Sequence, residues 1–187
     1  MSRFKVTDLP LAGSKLIERR LQEDDRGFLS RLFAIDELAS MGWSAPIAQV
    51  NHTFTRWQGT IRGMHYQASP YSDAKIVSCI RGEVWDVAVD LRLTSPTFLQ
   101  VHGQFLSHTN CCAMLIPKGF AHGFQSMVDN CELIYFHSSQ YQPEAEKGLR
   151  YDDPMLQISW PCPVTMVSER DRSHPFLTPG FLGVNLE

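Results

Sequence analysis

Three signatures of other protein classes are missing from this chain of 187 residues. No apolar run approaches the roughly 20 residues that a membrane-spanning helix requires, and the N-terminal segment lacks the continuous apolar stretch of a secretory signal. The 12 glycines and 11 prolines form neither a collagen-like repeat nor a low-complexity tract. We therefore expect one folded domain spanning residues 1–187, with no membrane as a partner.

The chain also has little excess charge of one sign and no pattern of paired cysteines. The 17 basic and 20 acidic residues leave a formal net charge of −3, which argues against nucleic acid as a partner. The five cysteines are odd in number and lack the CxxC or Cys/His spacing of a zinc site. Reduced thiols in a cytoplasmic protein are the simplest interpretation.

Short segments rich in β-branched and aromatic residues, separated by turn residues, dominate the chain. One short helix is predicted after Ile35, with Asp36 as its N-cap and Gly42 just past its end. Residues 143–150 are expected to hold a second helical turn. Because the strands do not alternate with helices, the pattern predicts an all-β jelly roll of two packed sheets with few short helices. The predicted strands are residues 16–19, 27–33, 48–54, 60–66, 75–81, 84–91, 98–105, 113–116, 122–127 and 132–137.

Two histidine-bearing segments have the layout of a cupin barrel, with His65 on one strand and a Pro-x-Gly-x-x-His turn ending at His122. Many cupins bind a transition metal through an HxH pair, a downstream glutamate and a final histidine. In this chain Gln67 takes the second place of the pair, and Lys75 stands where an acidic ligand might follow. Since a lysine there would repel a divalent cation, the site is predicted to hold no metal. A metal-dependent cupin enzyme is the weakest alternative.

A pocket without a metal would have to work by proton transfer. His65 is the candidate base, because an imidazole titrates close to neutral pH. Tyr135 lies on a different predicted strand and could face His65 across a ligand, while Lys75 could stabilise an oxyanion. The segment that contains Asp171 could fold back to orient the imidazole. Taken singly, each residue also has a structural interpretation, as a hydrogen-bonded core histidine, a packed tyrosine, a solvated aspartate or a snorkelling lysine.

Two arginines are candidates to bind a diphosphate, because guanidinium groups match phosphate oxygens. They are Arg26 and Arg62. Strict strand alternation would place Arg62 and His65 on opposite faces. A β-bulge at Gly63 would bring both to one side, and glycine within a strand often marks such a bulge. Without the bulge, Arg62 would point toward a subunit partner.

Eight stretches of the chain occur in the order typical of one family. Together they resemble the dTDP-4-dehydrorhamnose 3,5-epimerase family, the sugar-nucleotide epimerases of the cupin superfamily. The resemblance implies a cupin-type jelly-roll homodimer whose substrate is a nucleoside-diphosphate 4-keto-6-deoxyhexose. The stretches are residues 25–28, 49–52, 62–67, 82–92, 95–98, 117–124, 152–154 and 168–171.

The resemblance also implies a role for each candidate residue. His65 matches the base and Asp171 the carboxylate that orients it, whereas Tyr135 matches the acid that returns a proton from the opposite face. Lys75 matches the group near the keto oxygen of the sugar. The implied substrate-binding residues are Arg26 and Arg62 near the diphosphate, with Gln49, Asn51, Gln67 and His122 in the same pocket.

The chemistry expected of this set is an epimerisation. A ketone at C4 acidifies the hydrogens at C3 and C5, so proton removal gives an enolate and return on the other face inverts the carbon. No cofactor is required for such an isomerase of deoxysugar nucleotide biosynthesis. Inversion at one carbon only, a CDP or GDP sugar in place of dTDP, and a non-catalytic sugar-nucleotide-binding cupin remain alternatives. Asp86 and Asp90 are expected to serve structure by satisfying turns or pairing with Arg92, and no function is predicted for His52, His108, His137 and His174.

Overall fold

The computed structural model describes residues 2–186, which form fourteen strands and two short helices in that part of the chain. The first half contains β1 (Phe4–Asp8), β2 (Lys15–Arg19), β3 (Gln22–Asp24), β4 (Gly27–Leu29), α1 (Ile35–Ala39), β5 (Gln49–Thr55), β6 (Thr60–Gln67), β7 (Lys75–Arg81) and β8 (Glu83–Asp90). The second half contains β9 (Val101–Ser107), β10 (Cys112–Ile116), β11 (Phe120–Ser126), β12 (Cys131–His137), β13 (Glu146–Gly148), β14 (Met166–Val167) and α2 (Glu169–Ser173).

Two sheets face one another. The first has the strand order β1-β2-β10-β7-β12-β5, and the second has the order β13-β6-β11-β8-β9 with β14 parallel to β6. Apolar side chains from both inner faces meet in one buried cluster, such as Val77 and Leu133 from the first sheet and Val84 and Phe124 from the second. This arrangement is a jelly roll, so the all-β prediction is confirmed.

The outer faces of the two sheets are covered as well. Leu38 of α1 and Trp43 pack on the first sheet beside Ile76 and Phe136. The C-terminal part of the chain packs on the second sheet, where Leu177 belongs to a separate buried apolar cluster. Because both faces are covered, strands such as β7 and β8 are almost wholly buried. No helix among residues 2–186 is long and apolar enough to cross a membrane.

The predicted cap of the first helix needs correction, whereas the second predicted helical turn is present but short. Asp36 does not cap α1, because the helix begins at Ile35 after Ala34, and no side chain caps it. Burial of Leu38 and a hydrogen bond from the Arg3 amide to Glu37 (2.7 Å) hold the helix instead. Residues 143–150 begin with one hydrogen-bonded turn, in which the Glu146 amide donates to the Gln142 carbonyl (3.1 Å), and continue as strand β13, which pairs with the free edge of β6. The second helix is α2, and the predicted strand at 27–33 ends at Leu29.

A β-bulge at Gly63 sets the geometry of β6. His65 pairs with His122 of β11 and Arg62 pairs with Phe124, so three steps on β6 match two on β11. Gly63 has φ +126°, and a Cβ atom there would lie 2.5 Å from the Cα of Gly123. The predicted bulge is therefore confirmed, and Arg62 and His65 line the same cavity.

Replacing Gly63 by alanine is expected to lower the free energy of unfolding by about 2–4 kcal/mol, because it adds both backbone strain and a steric clash. Gly42→Ala is a matched control, since Gly42 has φ +112° but only the Cε atom of Lys15 at 3.6 Å. Urea unfolding measures both. Equal losses of unfolding free energy in the two variants would show that the steric clash between β6 and β11 contributes nothing.

Candidate active site

A cavity of about 770 Å³ opens between the two sheets, a size typical of sites for small ligands. The first sheet contributes inward-facing residues of β5, β7 and β12, and the second contributes residues of β6 and β11. All predicted site residues except Arg26 line the cavity: Gln49, Asn51, Arg62, His65, Gln67, Lys75, His122, Tyr135 and Asp171.

His65 and Asp171 form a hydrogen-bonded pair on the wall of the second sheet. The Nε2 atom of His65 lies 2.8 Å from Oδ1 of Asp171, and the Gly63 amide donates to Oδ2 at 3.2 Å. Ser168 caps α2 by accepting from the Asp171 amide (3.0 Å), which aims the carboxylate at β6. Burial raises the pKa of Asp171, but the bonds from His65 and Gly63 outweigh it and the pKa lies below its usual value. An ionised Asp171 keeps a proton on Nε2 and leaves Nδ1 as the basic nitrogen.

Charged side chains surround this pair. A terminal nitrogen of Arg170 lies 3.3 Å from Nε2 of His65, and Arg170 donates two bonds of 3.0 Å to Glu146. The ring of His174 contacts the His65 ring edge-on, with centroids 5.9 Å apart. His65, Asp171 and His174 place potential metal ligands within 4.8 Å of one another. The guanidinium of Arg170 opposes a divalent cation there, so these residues do not suit a metal.

Tyr135 stands on the opposite wall, on β12 of the first sheet, where it pairs with Asn51. The phenol is buried, and this burial raises the pKa of Tyr135 well above its usual value. The hydroxyl therefore stays protonated at neutral pH and is able to donate a proton.

Lys75 lies on β7, the strand next to that of Tyr135, in a cluster that the sequence did not predict. Its Nζ atom is 3.0 Å from Oδ1 of Asp73, and Oδ2 of the same carboxylate is 2.7 Å from Nδ1 of His137. Burial raises the pKa of Asp73, yet the charge of Lys75 and the bond from His137 outweigh it, and the pKa is lowered. Strand alternation was the available signal, because His137 follows Tyr135 by two positions and shares its face.

His122 also has a carboxylate partner, since its Nε2 atom lies 2.8 Å from Oδ1 of Asp86. Asp86 is fully buried; burial raises its pKa, and His122 offsets part of the rise. Asp86 thus serves a pocket histidine rather than a turn. The predicted pairing with Arg92 is confirmed for Asp90, which accepts hydrogen bonds of 2.9 and 2.7 Å from the Arg92 guanidinium.

The polar residues at the rim are held by the backbone and by one another. Arg62 donates to the Thr55 hydroxyl (3.0 Å) and to the Phe54 carbonyl (3.1 Å). Gln67 donates to two carbonyls and accepts from the Gln142 amide (2.7 Å), so it braces the loops beside the cavity. Gln49 donates to Asn51 at 2.9 Å.

Comparison with known proteins assigns the chain to a family. The family model described as dTDP-4-dehydrorhamnose 3,5-epimerase matches residues 8–179. The chain belongs to this family. The epimerase from Pseudomonas aeruginosa is 40% identical over 173 residues, which cover 90% of this chain and 93% of that protein. The epimerase from Sinorhizobium fredii is 37% identical over 170 residues, which cover 90% and 87%.

Solved structures of sugar-nucleotide epimerases share the fold. The dTDP-4-dehydrorhamnose 3,5-epimerase of Bacillus anthracis, with TDP and PPi bound, has a TM-score of 0.90 and 37% identity over 93% of this chain and 99% of its own. A 3′-monoepimerase from Streptomyces bikiniensis, in complex with dTDP-quinovose, has a TM-score of 0.83 and 32% identity over 90% and 85%. The predicted family and the cupin jelly roll are confirmed, and this epimerase is an isomerase of deoxysugar nucleotide biosynthesis.

Arg26 is the one predicted residue that the epimerase fold does not bring to the cavity of its own chain. It lies in the turn of the β3–β4 hairpin, where its guanidinium donates to both oxygens of Asp24 at 3.2 and 2.6 Å. The hairpin pairs with neither large sheet, and its side chains Phe28 and Leu29 are 63% and 68% exposed. Exposed apolar residues of this kind often mark an interaction surface.

Proposed function

We propose that this epimerase inverts C3 and C5 of a dTDP-linked 4-keto-6-deoxyhexose by proton transfer, without a cofactor. The observation that supports this most is that His65 and Tyr135 line one cavity from opposing sheets. The family model is described as a dTDP-sugar 3,5-epimerase. A structural relative from Legionella pneumophila, in complex with dTDP-4-keto-L-rhamnose, has a TM-score of 0.90 and 35% identity over 97% of each chain.

The proposed reaction uses four side chains. The Nδ1 atom of His65 removes the proton beside the ketone, and Asp171 stabilises the imidazolium that forms. The enolate places negative charge on the C4 oxygen, and Lys75 lowers the free energy of that charge. Tyr135 returns a proton on the opposite ring face. General acid–base catalysis of this kind typically contributes about 10²–10⁴-fold, with positioning and electrostatics supplying the rest.

We propose further that the functional unit is a homodimer in which Arg26 serves the cavity of the partner. The open edge of β5 exposes Val50 (54%) and Phe54 (44%), and the same strand lines the cavity with Asn51. Phe28 and Leu29 on the β3–β4 hairpin of a second copy would cover this edge, and Arg26 of that copy would bring a second guanidinium near Arg62. Two arginines suit a sugar-nucleotide diphosphate, whose four non-bridging oxygens share two negative charges.

Mixing two impaired variants tests this arrangement. Arg26→Ala and His65→Asn are each expected to lose activity, whereas co-refolded mixtures recover it, because a mixed dimer contains one complete site. The measurement is the epimerisation rate of the mixture against each variant alone. If both groups acted within one chain, no mixed dimer would have a complete site and the mixture would stay inactive.

Deuterium incorporation tests the reaction itself. In D₂O with dTDP-4-keto-6-deoxyglucose, we expect deuterium at C3 and C5 and an inverted product, both read by NMR. Labelling at one carbon alone would identify a monoepimerase. Binding without labelling would favour the non-catalytic sugar-nucleotide-binding cupin and would count against the proposed reaction.

We also infer that the whole chain acts as one catalytic domain in the cytoplasm. All five cysteines are free thiols, and four of them are buried: Cys79, Cys111, Cys112 and Cys131. Such a set suits a reducing compartment.

A further inference from the structure

Three residues at one end of the first sheet form a row across neighbouring strands. His137 of β12 pairs with Lys75 of β7 on one side and with Gln49 of β5 on the other. Asp73 precedes β7, and its two carboxylate oxygens hold Lys75 (3.0 Å) and His137 (2.7 Å). All of these residues line the cavity, and Asp73 and Lys75 are nearly inaccessible to solvent. One carboxylate therefore fixes an ammonium and an imidazole side by side.

The contacts of His137 determine which of its nitrogens carries hydrogen. Asp73 is ionised and only accepts, so the Nδ1 atom of His137 donates and the Nε2 atom of the neutral ring is an acceptor. The nearest donor to Nε2 is the amide nitrogen of Asn51, at a long 3.4 Å. On its other sides the ring faces Lys75, Gln49 and the stacked ring of Tyr135, whose centroid is 6.0 Å away. The cavity thus offers a hydrogen-bond donor, Lys75, next to a weakly engaged acceptor, His137.

This donor and acceptor match two neighbouring groups of a 4-keto sugar. The oxygen at C4 only accepts hydrogen bonds, and the hydroxyl at C3 beside it donates one. The other neighbour, C5, carries a methyl group that forms no hydrogen bond. When Lys75 donates to the C4 oxygen, the adjacent acceptor, His137, matches the C3 hydroxyl and not the methyl group at C5.

We propose that His137 is a specificity-determining residue whose Nε2 atom accepts the hydrogen bond of the C3 hydroxyl, so that the enzyme selects 4-keto sugars that retain this group. The proposal rests on the proposed function, in which Lys75 faces the C4 oxygen. A site built to bind a hydroxyl rejects the analogue that lacks it, because its polar group is then left without a partner.

The test compares a substrate with its 3-deoxy analogue in three proteins: the parent, His137→Phe and His137→Gln. Phenylalanine keeps a ring against Tyr135 but has no acceptor, whereas the glutamine amide can donate to Asp73 and still accept. The readout is kcat/KM for deuterium incorporation at a carbon that exchanges in the parent. For the 3-hydroxy substrate we expect a loss of about 10- to 100-fold in His137→Phe. The 3-deoxy analogue should be nearly unaffected, and glutamine should restore part of the loss.

The outcomes separate the inference from the proposed function. Equal losses for both substrates would mean that His137 only supports Asp73 and Lys75, and this would overturn the inference. Absence of exchange by the parent with either substrate would overturn the proposed reaction. His108→Phe is the control, because His108 is an exposed histidine outside the cavity that contacts the Gly82 carbonyl. Should His137→Phe not fold, His137→Gln is compared with the parent instead, and an equal change of kcat/KM for both substrates would overturn the inference.

Discussion

Replacing His65 by asparagine is expected to lower kcat about 10³-fold, within the range that general base catalysis contributes. Asparagine keeps a polar side chain near Asp171 but cannot take up a proton. NMR rates of deuterium incorporation measure kcat, and calorimetry with dTDP measures whether the cavity still binds the nucleotide. We expect the nucleotide affinity to stay close to that of the parent, because His65 acts on the sugar.

The control for this variant is His108→Asn, which makes the same change outside the cavity and should retain parent kinetics. A loss of less than about tenfold in His65→Asn would be too small for the removal of a general base. The base would then have to be sought among the other histidines of the cavity, of which His122 is register-paired with His65.

The histidines of three histidine–carboxylate pairs line one cavity, and their surroundings give them different roles. His65 with Asp171 has a 30% exposed imidazole, which can exchange its proton with water. His122 with Asp86 is almost wholly buried, and one oxygen of Asp86 has no partner. His137 with Asp73 shares its carboxylate with a lysine. Only the first pair combines access to water with a partner dedicated to one imidazole.

The fold was largely predictable because most strands bury one or both faces between covered sheets. That burial requires the β-branched and aromatic residues that mark β7, β8 and β12 in the sequence. The glycine at position 63 likewise marked the bulge, since its conformation and its contact with Gly123 exclude a Cβ atom. Strand β13 could not be predicted, because three residues that pair with a sheet edge carry no periodic pattern.

The site was only partly predictable, because several of its residues lie outside any periodic pattern. Asp171 lies 106 positions from His65, and no local pattern joins them, so the family resemblance was the main ground for pairing the two. Asp73 precedes its strand and gave no signal, whereas His137 was visible as the next inward residue after Tyr135. The place of Arg26 depends on a second copy of the chain, about which strand periodicity carries no information.

Replacing Tyr135 by phenylalanine is expected to separate proton exchange from inversion. His65, Asp171 and Lys75 are unchanged in this variant, so the enolate still forms. Without the phenol, the enolate regains its proton from His65 on the face it left. Since His65 is partly exposed and exchanges with D₂O, recovered substrate should carry deuterium with its configuration retained.

The formation of inverted product should fall about 10²- to 10³-fold, the contribution of one general acid. NMR of the recovered sugar distinguishes retained from inverted deuterated carbons in one experiment. Tyr141→Phe is the matched comparison, because Tyr141 also lines the cavity but donates its hydroxyl to Glu146 at 2.7 Å. If Tyr141→Phe separated the two processes and Tyr135→Phe did not, the acid would be Tyr141. If Tyr135→Phe alone returns deuterated substrate with its configuration retained, the reaction requires two groups on opposite faces of the sugar. The facing sheets provide this arrangement.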